Sequence, residues 1–304
     1  MSITAVLVTF NRVNLLERAI DSLRSQKCNI ENIIVVNNAS TDGTKEYLES
    51  NHWIKSIHLE HNTGGAGGFH AGIKLAYEIG SKYIWIMDDD AVAKDDTLSR
   101  LISDAEFLEQ QDCKWGFLCS QVVNENNENM NVPTITRKLN STGYPDWGKF
   151  GKDGLIGVDS ATFVSVFIKT SIIHEVGLPV KEMFIWGDDT EFTWRISNRY
   201  ECYISLNSQI FHKRVSGNSL NIVTEESDVR LEWYKFYYRN NLYNRRKHGS
   251  VKDMCVFVFN SCKDAMNIIM SSKNRKAKRL YNLWHGVIMG LIFNPMIFSF
   301  KNDK

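Results

Sequence analysis

The 304-residue sequence predicts an α/β protein, an open sheet followed by a C-terminal helical extension. Three observations carry this. Up to about residue 206, short β-branched runs alternate with segments of helical apolar periodicity, the pattern of an α/β sheet. A chain of this length can bury the core of one large α/β domain and still carry a smaller unit. After residue 217 the sequence turns aromatic, apolar and cationic with helical spacing, which divides it into residues 1–216 and 217–304.

Residues 3–10 read as the first strand and 13–26 as the helix after it, apolar at Leu15, Leu16, Ala19, Ile20 and Leu23. Residues 33–36 form a second strand. The polar run 37–43, ending in Asp42-Gly43, is a loop entering a helix. Residues 57–59 form a third strand, followed by a glycine-rich turn, a helix over 68–79 and a fourth strand over 83–87. The order is βαβαβαβ. Residues 113–157 are rich in Asn, Lys and Gly, with short apolar runs only around Phe117 and Val122, and predict a long loop or lid over a site. A strand over 160–169, a short helix over 171–176 and a helix over 190–200 follow, and His212 stands just past the last strand. Residues 232–240 place aromatic side chains on several faces of a helix, suited to contact with the sheet domain and with either a ligand or a partner subunit.

Lys plus Arg total 36 against 35 for Asp plus Glu, a net charge of +1 that argues against a protein held by nucleic-acid phosphates. The six cysteines contain no CxxC pair and no zinc-type spacing, so buried free thiols in a reducing cytosol are expected. No signal-peptide pattern precedes the first strand, so a cytoplasmic location is expected. The apolar stretch 284–300 is broken by His285, Asn294 and Pro295 and falls short of the ~20 residues of a spanning helix. The cationic run 273–279 abuts it. That pairing suits either a helix lying on the inner face of an anionic membrane, or a basic face beside a core or homo-oligomer helix.

Asp88-Asp89-Asp90 follows an apolar strand and so stands at a strand carboxyl end, where open parallel sheets gather ligands. Adjacent carboxylates repel one another. A divalent cation with oxygen ligands, Mn²⁺ or Mg²⁺, relieves that repulsion; a solvated acidic turn is the alternative. Asp188, Asp189 and Glu191 follow the aromatic run 183–187 at the start of a helix, where acids also act as caps. Asp188 is assigned the cap. Asp189, backed by Trp186 and Phe192, is assigned the chemistry, because partial desolvation makes a carboxylate a better base toward a hydroxyl. His212 is either a satisfied structural residue or, beside the acids, a nitrogen ligand that shifts the preference toward Mn²⁺. Residues 62–69 hold Gly65-Ala66-Gly67 but not the full GxGxxG pattern, since position 70 is His, and no Lys-Ser/Thr pair follows as in a P-loop. Four glycines in five positions before a helix let a backbone approach a pyrophosphate and offer it amide donors.

In this order the segments resemble glycosyltransferase family 2 over residues 3–213. Residues 8–12 are similar to the strand end that holds the nucleoside diphosphate, implying donor contacts from Thr9, Asn11 and Arg12. Residues 36–43 resemble the second-strand loop, with Asn37 or Asn38 standing where the family often has Asp, and imply a donor contact from Asn38. Residues 62–72 resemble the segment under the donor, implying contacts from Asn62, Gly64, Gly65 and Gly67. The Asp88-Asp89-Asp90 triplet matches the DxD element, Trp186-Gly187-Asp188-Asp189 the acceptor-side motif, and His212 the late metal-binding histidine. The resemblance implies a GT-A, Rossmann-like nucleotide-sugar-binding fold and an inverting reaction. Within it Asp88 contacts ribose or metal, Asp89 the donor, Asp90 and His212 the metal, Trp186 and Asp188 the acceptor, while Asp189 takes the acceptor proton. Displacement at an anomeric carbon needs a base on one side and a charge sink for the departing diphosphate on the other, and two separated acidic clusters provide both. The wording is most similar to bacterial galactofuranosyltransferases and their rhamnosyltransferase relatives. That implies a UDP-galactofuranose donor, with dTDP-rhamnose as the alternative, and a glycan or glycolipid acceptor in cell-surface polysaccharide synthesis. A pyrophosphorylase would carry a glycine-rich Arg/Lys loop after the first strand, which is missing here. Outside the enzymes, the alternative is a non-catalytic sugar-nucleotide-binding or membrane scaffold protein.

Overall fold

The computed structural model describes residues 2–213 and 220–300; the boundary expected near residue 217 lies outside the described residues. Its first half follows the predicted order: β1 (Ile3–Thr9), α1 (Val13–Arg24), β2 (Asn32–Asn37), α2 (Thr44–Ser50), β3 (Lys55–His58), α3 (Gly64–Glu78) and β4 (Tyr83–Asp88). β1 lies between β2 and β4, parallel to both, and β3 is parallel to β2. β1 and β4 read as continuous apolar runs because helices cover both faces of the sheet: Ala5, Val6 and Leu7, like Ile84 through Met87, are fully buried. The glycine-rich segment is the first turn of α3 rather than a turn before it.

The second half holds β5 (Ala91–Ala93), α4 (Thr97–Gln110), β6 (Trp115–Val123), β7 (Asn129–Met130), β8 (Thr134–Ile135), β9 (Leu155–Ser160), β10 (Val166–Lys169), α5 (Thr170–Val176), α6 (Asp188–Ser197) and β11 (Glu201–His212). The sheet runs β3-β2-β1-β4-β10-β6-β11-β9-β8, with β5 paired to β11 and β7 to β6. The region expected to be a lid therefore contains β6, a central strand. Both its faces are covered, so it lacks the alternation that marks a strand with one wet face. Its Ser120 hydroxyl is satisfied inside the protein by Ser165 and Ser208, each at 2.8 Å. The single strand expected over 160–169 is two, β9 and β10, separated by the turn that carries Phe163.

The extension is helical as expected: α7 (Asp228–His248), α8 (Val251–Ser271) and α9 (Lys276–Ile292). The three share a core of Leu231, Tyr234, Tyr238, Leu242, Ile268 and Leu283, onto which Trp186 of the sheet domain packs. Gly286 of α9 lies so close to the Lys235 carbonyl of α7 that a Cβ there would meet it at 2.5 Å. The chain after α9 returns to the sheet domain, where Phe300 stacks on Tyr77 of α3 at 3.7 Å. Among the described residues no helix is long and apolar enough to cross a membrane.

Candidate active site

Asp88 ends β4, and Asp89 and Asp90 form the turn into β5. β5 pairs antiparallel with the end of β11, opposing Ala91 to His212. That register places His212 Nε2 3.0 Å from Asp90 Oδ1, although 122 positions separate them. The other ring nitrogen lies 3.0 Å from Asn131 Oδ1. With Nδ1–H donating to Asn131, the imidazole turns its Nε2 toward the acids, where it donates to Asp90 when it carries a proton and is oriented as a metal-ligating histidine requires when it does not. Arg12, at the entry to α1, reaches back with Nη1 to Asp89 Oδ1 at 3.2 Å and Asp90 Oδ2 at 3.1 Å.

These neighbours divide three adjacent carboxyls. Burial raises Asp88, and the charge of Asp90 adds to it, to about 7. Burial likewise lifts Asp89 to about 6, against the pull of Arg12. Burial also works against a charged Asp90, but the hydrogen bond and charge of His212, with Arg12, outweigh it and hold Asp90 below the usual carboxylate range. One ligand atom each from Asp88, Asp90 and His212 lie within 4.8 Å of one another. Two hard oxygens and one imidazole, with one carboxyl uncomfortable as an anion, form a donor set that fits Mn²⁺ or Mg²⁺.

A cavity of about 330 Å³ opens beside this cluster, and Thr9, Arg12, Asn38, Asn62, Gly64 and Gly65 line it together with the three acids. Asn38 and Asn62 also build its floor. Asn38 Nδ2 donates to Asn62 Oδ1 at 3.0 Å and to the Gly64 carbonyl at 2.9 Å, while its Oδ1 accepts from the Thr63 amide at 2.9 Å. Two residues expected at the donor lie outside the cavity lining. Asn11 accepts from the Thr41 amide at 2.6 Å, and Gly67 packs on the Thr63 side chain. The Gly64 amide is engaged by Asn62 Oδ1 and the Ala66 amide by the Phe184 carbonyl, so neither is offered to a phosphate as the sequence suggested.

On the opposite side, the segment before α6 passes through left-handed backbone at Phe184 (φ 65°), Trp186 (φ 61°) and Gly187 (φ 104°). Gly187, not Asp188, is the cap of α6, and Asp188 is the first helical residue. Only glycine adopts that backbone without strain, which frees Asp188 to be buried in the cavity wall. Burial, then the charge of Asp189, raises Asp188 well above an ordinary carboxyl. Asp189 is raised too, by burial, although the Thr190 amide donates to it at 2.6 Å. Glu191 takes another path. It is fully buried, bridged to Arg195 at 2.8 Å and to His248 of α7 at 3.1 Å, and held below its ordinary value.

A second cleft of about 760 Å³ adjoins the first, sharing Arg12, Asp88, Asp90, Trp186, Asp189 and His212. Its outer wall is α7, through Arg230, Trp233, Tyr237 and Asn241. Trp186 packs edge-on to Trp233 at 5.9 Å between ring centres. The aromatic run was legible as a contact surface, but which of its side chains face the cleft depends on how α7 packs.

A mixed sheet whose parallel strand β4 ends in a DxD triplet, with a histidine returned to it by a later strand, defines the GT-A glycosyltransferase class. Solved structures agree on the fold. TarS of S. aureus superimposes with a TM-score of 0.55 at 14% identity, covering 99% of this chain and 45% of that one. A mannosyltransferase from Pyrobaculum calidifontis, solved with GDP-Man and Mn²⁺, gives 0.55 at 13% identity over 95% of this chain and 86% of the other. The chain belongs to glycosyl transferase family 2, whose model matches residues 4–168. A galactofuranosyltransferase of Mycolicibacterium smegmatis is 29% identical over 201 residues, 64% of this chain. The match covers 65% of that relative, so this chain spans less than two thirds of its length.

Proposed function

We propose that this glycosyltransferase moves galactofuranose from UDP-galactofuranose to a hydroxyl of a glycan acceptor, with inversion and with a bound Mn²⁺ or Mg²⁺. The acceptor is lipid-linked, and the product belongs to a bacterial cell-surface polysaccharide. The observation that carries this reading is the meeting of two cavities at one cluster: Asp88, Asp90 and His212 on the donor side, with Asp189 in the wall of both. Asp88, Asp90 and His212 would hold the cation, which when bound neutralises negative charge developing on a diphosphate leaving group. Arg12, already turned toward the acids, is placed to pair with a phosphate oxygen, and Thr9, Asn38, Asn62 and the Gly64-Gly65 backbone shape the donor cavity. Asp189 accepts the acceptor proton at its carboxylate, while Trp186 and Asp188 position the acceptor. The galactofuranose donor rests on the likeness to the mycobacterial enzyme.

Two units are proposed, residues 1–216 for catalysis and 217–304 for contact with a membrane surface. Exposed Phe259 and Met270 on α8 and Trp284, Ile288 and Leu291 on α9 support that contact. Seven Lys and Arg against two Asp and Glu in residues 249–300 would meet anionic headgroups at the inner face of the membrane.

Asp189→Asn tests the core of the proposal. With Mn²⁺, UDP-galactofuranose and octyl β-galactoside, nucleotide release is expected to fall about 100-fold or more, within the range for losing a general base, while calorimetry shows UDP and Mn²⁺ still bound. Unchanged release removes Asp189 as the base. Release from dTDP-rhamnose but not from UDP-galactofuranose replaces the donor and leaves the site assignment standing.

A further inference from the structure

Every main-chain carbonyl from Glu182 to Gly187 has an identifiable partner, and most of the hydrogen bonds to them come from α7. Arg239 Nη2 donates to the Glu182 and Met183 carbonyls at 2.8 and 3.1 Å. Asn240 Nδ2 lies 2.9 Å from the Met183 carbonyl, 3.1 Å from that of Ile185 and 3.0 Å from that of Trp186. Asn244 Nδ2 donates to the Gly187 carbonyl at 2.8 Å. From the sheet domain the Ala66 amide holds the Phe184 carbonyl, the Ile185 amide that of Met183 at 2.8 Å and the Glu191 amide that of Gly187 at 2.9 Å, while the Ile185 and Trp186 carbonyls are met by Asn240. Asn240 and Asn244 are four apart on one helix and so share a face. Both are fully buried. Arg239 Nε donates to Asn240 Oδ1 at 3.0 Å, which fixes the amide with its nitrogen toward the loop.

The segment they hold needs holding. Phe184 and Trp186 are bulky residues in left-handed backbone, a conformation that persists only where the surroundings impose it. Gly187 then caps α6, and Asp188 and Asp189 are the next two residues. Asn244 does this work with its own Oδ1 buried and lacking a hydrogen-bond partner among the described residues. An unpaired buried acceptor is unfavourable for stability, so an apolar residue would serve α7 better if packing were all that mattered.

We propose that Asn240 and Asn244 are positioning residues for the transfer reaction: they clamp the Ile185–Trp186–Gly187 main chain and through it set Asp189 against the acceptor hydroxyl. The inference rests on the reading of Asp189 as the base. It makes α7 part of the catalytic unit instead of an appended element, because the Ile185 and Trp186 carbonyls just before the base are met from α7 by Asn240. A loop clamped this way governs the chemical step more than donor affinity: Phe184, Ile185 and Trp186 form one wall of the donor cavity, while Thr9, Arg12, Asn38, Asn62 and the Asp88–Asp90 triplet come from other elements.

The test compares Asn240→Ala and Asn244→Ala with Asn282→Ala and Asp189→Asn in the full chain. Asn282 is also a buried asparagine holding a carbonyl of α7, that of Leu231 at 2.8 Å, at the start of the helix and away from the Arg239–Asn244 stretch that meets the loop. Nucleotide release from UDP-galactofuranose with Mn²⁺ and octyl β-galactoside supplies kcat and KM, calorimetry supplies UDP and Mn²⁺ affinity, and thermal melts supply the stability loss. A shift of about 1 Å in a reacting group can cost about 100-fold in rate. The clamp variants should therefore lose about 10- to 100-fold in kcat while donor KM and UDP affinity stay within about twofold, and Asn282→Ala should melt earlier yet keep its kcat. If Asn244→Ala and Asn282→Ala lose kcat in the same proportion to their loss of melting temperature, the asparagines are structural and the proposal falls. Should Asn240→Ala not fold, the Asn244–Asn282 comparison decides alone. Asp189→Asn separates the two levels. Full turnover in that variant overturns the base assignment itself, whereas an inactive Asp189→Asn beside fully active asparagine variants overturns only the clamp.

Discussion

Gly64 has room for a hydrogen and nothing larger. Its φ of +72° already disfavours an L side chain, and a Cβ there would overlap the Phe184 carbonyl. Gly64→Ala therefore meets backbone strain and a backbone clash together, and each belongs to the class of changes that destabilise by about 1–3 kcal/mol. The clash falls on the loop that leads to Asp189, so the melting temperature and the rate should fall together, which a thermal melt and a nucleotide-release assay read out. His212 makes the complementary case. His212→Ala removes the nitrogen donor and leaves Asp88 and Asp90 as oxygen ligands, so Mn²⁺ affinity measured by calorimetry should drop about 10-fold or more, with a smaller drop for Mg²⁺, which prefers oxygen. The acids and this histidine were legible from sequence because each sits at a strand end, a local feature. Asn131, Asn240 and Asn244 were not, because a lone asparagine carries no sign of the carbonyl or imidazole it will meet across the fold. Asn11 and Gly67 show the converse: they belong to the right segments but turn their side-chain positions away from the cavity.

At the scale of elements, α6 joins the Asp188–Asp189 wall of the clefts to the interior through Glu191, Arg195 and His248. Arg195 extends the bridge to the Leu178 carbonyl at 3.0 Å, and His248 belongs to α7, so the cluster ties α6 to the loop after α5 and to the extension. Burial alone would raise Glu191, but Arg195 and His248 overcompensate, so its carboxyl ionises below the value it has in the unfolded chain. A carboxyl depressed on folding contributes stability above its unfolded pKa of about 4.3 and loses it as pH falls through the lower folded value. Glu191→Gln should cost about 3–5 kcal/mol at pH 7, the usual result of breaking a buried pair, and melts between pH 3 and 6 should show a shallower acid-side loss than in the parent. Asp189 moves in the opposite direction. With Asp189 as the proposed base, its raised pKa predicts an acid limb of the rate profile above the ordinary carboxylate range, with activity present above the limb and lost below it. The elements carrying these groups differ in how readable they were. β1 through β4 alternate with helices of clear period, and α4 has that period too, burying Leu98, Leu101, Ala105 and Leu108, whereas β6 is covered on both faces and so offered no alternation distinct from its surroundings.

For the whole molecule, the question is what meets the outer face of α8 and α9. Phe259, Met266 and Met270 recur at helical spacing on α8, as do Tyr281, Trp284, Ile288 and Leu291 on α9, and all are exposed. Fully solvated, so much contiguous apolar surface is uncommon on a monomeric protein, and it marks contact with a membrane or another chain. Charge favours the membrane. The full chain is close to neutral, yet the extension is strongly cationic, and Lys252, Lys263, Lys273 and Lys276 are exposed beside the apolar residues. Such a surface gains from burying apolar area in the headgroup region and from attraction to anionic lipid, and only the second contribution is screened by salt. Vesicles rich in phosphatidylglycerol should therefore float the protein, neutral phosphatidylcholine vesicles should do so weakly, and raising salt to about 1 M, where the Debye length is about 3 Å, should release most of it. Ile288→Glu with Phe259→Glu should abolish flotation and leave nucleotide release with octyl β-galactoside intact, because neither residue lines the two clefts. If instead the parent sediments as a dimer, ignores anionic vesicles, and becomes a monomer on the double substitution, the face joins two copies of the chain and the membrane assignment is wrong.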